Sequence, residues 1–223
     1  MTEENRYWQG AEEDATMQDE HRFVWDAMLR TIDVDLLGAK VLDVGCNRGG
    51  FLRLLADTRG IAQGWGYDRA PGAVADAISL GGDRPLTLAV ADTVPAGWTG
   101  FDVAFSHEVI YLIDDLDAHA DAVFEALTPG GVYFAVEGVH RASPMMVTWH
   151  GDAANDLRLP PLRDLDEVVS AFAARGFSVS AARLQFGFVP ANGHKENYFE
   201  WLNYYHDFKP LFRFERPATS RPG

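Results

Sequence analysis

The chain has a single cysteine, Cys46, among its 223 residues. That excludes an intramolecular disulfide and any cysteine-rich zinc site, and a reduced, cytoplasmic setting is the default expectation. No apolar run approaches the ~18 residues that span a membrane. The opening MTEENRYW has neither the basic nor the apolar part of a secretory signal. Basic residues are scarce: 19 Lys and Arg stand against 33 Asp and Glu, a formal net charge of −14. An acidic field repels phosphate backbones and anionic lipid surfaces, which argues against nucleic acid and membrane as partners and mildly favours a cationic ligand. There is no internal repeat and no low-complexity block. What the chain does have is 47% hydrophobic residues, enough for a core, and the length of one domain of ordinary size.

The apolar pattern alternates between two periods. Residues 16–32 carry apolar side chains at helical spacing, as do 51–57, 70–80, 116–127, 164–175 and 196–208. Between them lie short apolar runs without polar alternation, at 40–44, 65–67, 86–91, 101–106 and 132–137, with a turn at 129–131. Such runs suit strands buried on both faces of a parallel sheet, with helices packed on either side. Two further strands are expected at 177–188 and 211–215. The organisation expected is one domain over 1–216, with an N-terminal helical cap at 1–37, acceptor-side cap segments at 138–163 and 189–208, and a disordered tail at 217–223.

The most informative segment is VLDVGCNRGGFL, residues 41–52. It reads as a strand, a glycine-rich turn and a helix start, an arrangement that brings backbone N–H groups close to a ligand. Asp43 lies inside the strand, two residues before the first glycine. A carboxylate there is unfavourable beside a pyrophosphate and favourable beside an ammonium or sulfonium. Asp68 ends the next strand, where a carboxylate can accept both ribose hydroxyls. Asp92 ends the third and could accept a bond from an adenine amino group.

At these residues the chain resembles the class I methyltransferases that depend on S-adenosylmethionine (SAM). The resemblance rests on VLDVGCNRGG, on GYD at 66–68, on VAD at 90–92, on FDVAFSHEVIYLIDD at 101–115 and on LTPGGVYFAVE at 127–137, in family order and at family spacing. It implies a doubly wound, mostly parallel seven-stranded sheet of order 3-2-1-4-5-7-6, with SAM as cofactor and S-adenosylhomocysteine (SAH) as product. It also implies that Asp43, Gly45, Cys46, Asn47 and Gly49 line the methionine end, that Asp68 and Arg69 border the ribose, that Asp92 and Thr93 border the adenine, and that Ser106 and His107 sit below the sulfonium. Asn47 replaces the usual second glycine, and asparagine tolerates positive φ better than most residues. Trp8, with Tyr7, is a candidate to close over the cofactor.

The acceptor is less legible. The Asn-Pro-Pro-aromatic tetrapeptide of the family's DNA-adenine and protein-glutamine branches is absent, the chain reading SHEV at 106–109. A small-molecule acceptor, possibly aromatic, is expected, with a hydroxyl slightly favoured over an amine or carbon. Histidine titrates near neutrality, so His140, His150 and His107 are the candidate bases, and His194 could reach the pocket mouth. The helix at 196–208 is rich in aromatics and could supply a lid. Two other readings stay open: a SAM-binding protein without methyl transfer, and an NAD(P)-dependent oxidoreductase on a related fold. The missing G-x-G-x-x-G, read here as GCNRGG, counts against the second.

Overall fold

The computed structural model describes residues 11–152, 159–189 and 197–218, with side chains from His21 onward. The chain runs through α1 (Ala11–Thr31), β1 (Lys40–Val44), α2 (Gly50–Arg59), β2 (Gln63–Asp68), α3 (Pro71–Gly81), β3 (Leu86–Val90) and β4 (Phe101–His107). A short 3-10 helix (Ile110–Leu112), α4 (Leu116–Ala126), β5 (Leu127–Val136), α5 (Pro144–Gly151), α6 (Leu165–Arg175), β6 (Ser178–Arg183), α7 (Tyr198–Asp207) and β7 (Pro210–Glu215) follow.

The seven strands form one sheet of order β3-β2-β1-β4-β5-β7-β6. Pairings from β3 through β5 are parallel, and β7 runs antiparallel to both β5 and β6. The strand alternation explains why the sheet is covered on both faces. Val41, Val103, Phe105 and Phe134 point to one side and pack with α1 and α2. Their neighbours Leu42, Ala104, Tyr133 and Ala135 point to the other and pack with α4 and α6. The fold class and strand order expected from the sequence are those observed.

Three local expectations are corrected. β6 stops at Arg183 instead of running to residue 188, because its only partner, β7, begins at Pro210 opposite Arg183, and proline cannot extend a ladder as a donor. β5 begins before the turn at 129–131: Leu127 pairs with Phe101, the register then shifts, and Val132 pairs with Val103. Pro144–Gly151, inside the expected cap segment 138–163 and given no element there, is a helix with Pro144 in its first turn, where the missing N–H costs nothing. Among the described residues, no helix is long and apolar enough to cross a membrane.

Candidate functional site

The strand order reverses between β1 and β4, so the segments leaving their carboxyl ends diverge to opposite faces and open a crevice. A cavity of about 370 Å³ occupies it. Its floor is the turn after β1. Gly45 has φ +70°, Asn47 +45° and Gly49 +69°, so three of five consecutive residues sit in the left-handed region. At Gly45 a side chain is also sterically barred, since a Cβ would lie 2.6 Å from Val109 Cγ2.

The turn is clamped by the neighbouring strand. Gly45 N–H and Cys46 N–H both donate to Tyr67 O at 3.0 Å. Asp68 Oδ2 accepts from Asn47 N–H at 2.9 Å, and its Oδ1 accepts from Ala70 N–H at 2.9 Å. Each oxygen keeps a free lone pair for a ligand. Burial pushes the Asp68 carboxyl up, against these hydrogen bonds. Asp43 is fully buried beside it and is held well above the usual carboxylate range, by burial first and by the Asp68 charge second. Burial also raises the Cys46 thiol, so it is no nucleophile. At the rim, the exposed Asp92 pairs with Arg69 at 3.4 Å, a contact worth little by itself.

Asp43, Gly45, Cys46, Asn47, Asp68, Arg69, Asp92, Thr93, Ser106 and His107 all line the cavity. Gly49 does not; its Cα faces α3, where a Cβ would meet Ala77 Cβ at 3.2 Å. Ser106 shares a 2.6 Å hydrogen bond with the Tyr133 hydroxyl, which also contacts His119 Nε2 at 3.3 Å. Trp8 and His194 lie outside the described residues, as does the expected tail from residue 219 on.

The three candidate bases part company here. His107 faces the cavity, whereas His140 and His150 do not. His140 is buried, with Nε2 engaged by Phe208 O at 2.8 Å, and His150 Nε2 is engaged by Pro160 O at 2.9 Å. Both rings serve to tie loop backbone, and their carbonyl partners require the proton on Nε2.

Beside Glu108, which follows His107 after β4 and which the sequence places next to the expected cofactor site, the wall opposite the turn holds three residues of α1 that the sequence did not single out. His21, Trp25 and Met28 of α1 face the cavity. Glu108 closes the end of β4 with φ +56°. Its carboxylate accepts from Tyr204 Oη at 3.2 Å, from Gly138 N–H at 3.1 Å and from the buried Lys209 ammonium. Burial pushes Glu108 up, but the charge and hydrogen bond of Lys209 prevail and hold it below its ordinary value. Burial and the Glu108 charge push the adjacent Glu137 well above its own ordinary value. The α1 residues had a findable signal: 21, 25 and 28 are spaced i, i+4, i+7 on one helical face.

The chain matches the family model of a methyltransferase domain over residues 15–182. No curated protein matches it in sequence. Among solved structures, a chain in the complex between the Haloferax volcanii Trm112 methyltransferase activator and a methyltransferase superposes with TM-score 0.81 at 22% identity, covering 97% of this chain and 99% of that one. An S-adenosylmethionine-dependent methyltransferase from Mesorhizobium loti superposes with TM-score 0.66 at 20% identity, covering 87% and 98%. The plantazolicin methyltransferase BpumL, in complex with SAH, gives 0.64 at 13%, covering 95% and 93%.

Proposed function

The chain belongs to the methyltransferase-domain family, and from that premise we propose that it transfers a methyl group from SAM to a small-molecule acceptor, with a hydroxyl as the receiving group. The observation that carries this reading is the cavity's charge. Asp68, Asp92, Asp114 and Asp115 line it, with Asp43 beneath and Glu108 paired to Lys209, against one lining cation among the described residues, Arg69. A dinucleotide pyrophosphate would meet carboxylates there, whereas a ligand with ammonium and sulfonium charges is attracted. The buried Asn47 Oδ1, without a partner among the described residues, offers one more acceptor to an amino or hydroxyl group.

Bound SAM supplies a methyl group on a cationic sulfur. Asp68 has free lone pairs for ribose hydroxyls. Asp43 ionises more readily when a cation offsets its burial, and the N–H groups of the turn orient the methionine end. The cavity falls in the usual size range for small-ligand sites, ~300–1,000 Å³, which supports a small acceptor enclosed beside the cofactor. Catalysis then rests on aligning acceptor and methyl group, with His107 as the base within reach of the cavity.

The test is thermal denaturation with SAM, SAH and NAD in parallel. At a hundredfold excess over Kd, a ligand of the native state stabilises it by about 2.7 kcal/mol, or ~5–10 °C for a domain of this length. Shifts with SAM and SAH and none with NAD are expected; the opposite pattern refutes the reading. Once an acceptor is known, His140→Gln and His150→Gln should keep turnover within about threefold. A loss of ~10²-fold, the scale of a missing base, would return that histidine to the mechanism.

A further inference from the structure

Half of the cavity is unlike the acidic half. His21 and His107 meet edge to face there, with ring centroids 4.6 Å apart and planes at 73°. Behind them stand Trp25, Phe51 and Phe105, in contact at 5.5 Å and 5.2 Å. Both nitrogens of His107 are buried and have no hydrogen-bond partner among the described residues. Buried polar atoms are nearly always paired in native proteins, so two unpaired nitrogens on a residue that lines the cavity point to a ligand group that completes them.

Building on the methyltransferase reading, we propose that the His21–His107 pair and the aromatic wall behind it form the acceptor subsite, which takes a flat, uncharged ring bearing a hydroxyl. The shape follows from the wall, since rings pack on rings. Burial, with the neighbouring imidazole and Lys209, drives His107 well below the ordinary imidazole range, and burial with Lys209, against Glu108, drives His21 to about 4. Both rings are therefore neutral at pH 7, each with one nitrogen able to accept a proton. An anionic ring would meet the carboxylates of Asp114 and Asp115 and the Glu108 side chain, which line the same cavity. In the reaction the hydroxyl oxygen forms its bond to the methyl carbon, and the carbon–sulfur electron pair leaves with sulfur. The O–H bond breaks with its pair kept on oxygen, the proton passing to a His107 nitrogen and then to water.

The test needs no turnover. SAH-saturated protein is titrated with 4-methylphenol, 4-methylanisole and 4-methylbenzoate, and binding is read from the histidine ring signals in NMR. Wild type should bind the phenol at least tenfold more tightly than either other ring. His107→Phe keeps an aromatic ring without the nitrogens and should bind phenol and anisole alike. His21→Phe should reduce the preference severalfold. SAH affinity, measured on each protein, reports folding and the cofactor site. If SAH fails to bind wild type, the methyltransferase reading itself fails. If SAH binds and wild type shows no preference for the phenol, or the variants keep it in full, the acceptor subsite is refuted.

Discussion

Replacing Asp68 with alanine should raise the dissociation constant for SAM by about 10²–10⁴-fold, the effect of losing two charge-assisted hydrogen bonds at ~1.5–3 kcal/mol each. The fold should also suffer. Asp68 holds Asn47 N–H and Ala70 N–H, and each amide left without a partner costs about 1–3 kcal/mol when buried, less here where the bonds are half-buried. Asp68→Asn retains one oxygen and should fall between alanine and wild type. Titration calorimetry measures affinity and a melting curve measures the fold. Unchanged affinity with a lowered melting temperature would make Asp68 a clamp on the turn and nothing more.

Gly45→Ala should be the second severe substitution. The left-handed conformation costs a residue with a Cβ about 1–2 kcal/mol, and the 2.6 Å approach to Val109 Cγ2 adds an overpacking cost of about 1–3 kcal/mol. Because strain of this size is relieved by moving the turn, SAM binding should be lost along with stability. Adding Val109→Ala removes the steric part and leaves the backbone part. The pair should therefore couple favourably by ~1–3 kcal/mol in a double-mutant cycle. Additive effects would show that the turn absorbs the methyl group without touching Val109.

The sheet was legible because its central strands are buried on both faces, and strands such as KVLDV and FDVAFS therefore carry long apolar runs. The acidic side of the cavity was legible for a related reason: Asp43, Asp68 and Asp92 sit at or near strand ends, and adjacent parallel strands bring their carboxyl ends together. α5 was missed because PMMVTWHG has no amphipathic stripe. β6 was drawn too long because the apolar residues of LQFGF suit a strand, while the ladder's length is set by a proline in another strand, Pro210. The acceptor side was less legible for a deeper reason. A histidine facing a cavity and one tying down a loop are chemically the same letter. His140 and His150 lay in a segment that looked like a cap, while His21 lay in an ordinary helix. Which of them reaches the cavity depends on how α1 docks over the turn after β4, a tertiary fact that no local pattern carries.

The bond between Lys209 and Glu108 spans 101 residues, so the site draws on distant parts of the chain. During synthesis, a nascent chain that has emerged through α6 already contains the glycine turn, Asp68 and His107. It still lacks the ammonium that neutralises Glu108. Until β7 is added between β5 and β6, Glu108 stands next to Glu137 with no cation, in a left-handed conformation uncommon for a residue with a Cβ. The glycine turn and Asp68 thus lie in the first third of the chain, while the cation that pairs with Glu108 comes with the sheet's antiparallel strand. A fragment ending before Lys209 would contain the glycine turn, Asp68 and His107 and lack the buried ion pair at the end of β4.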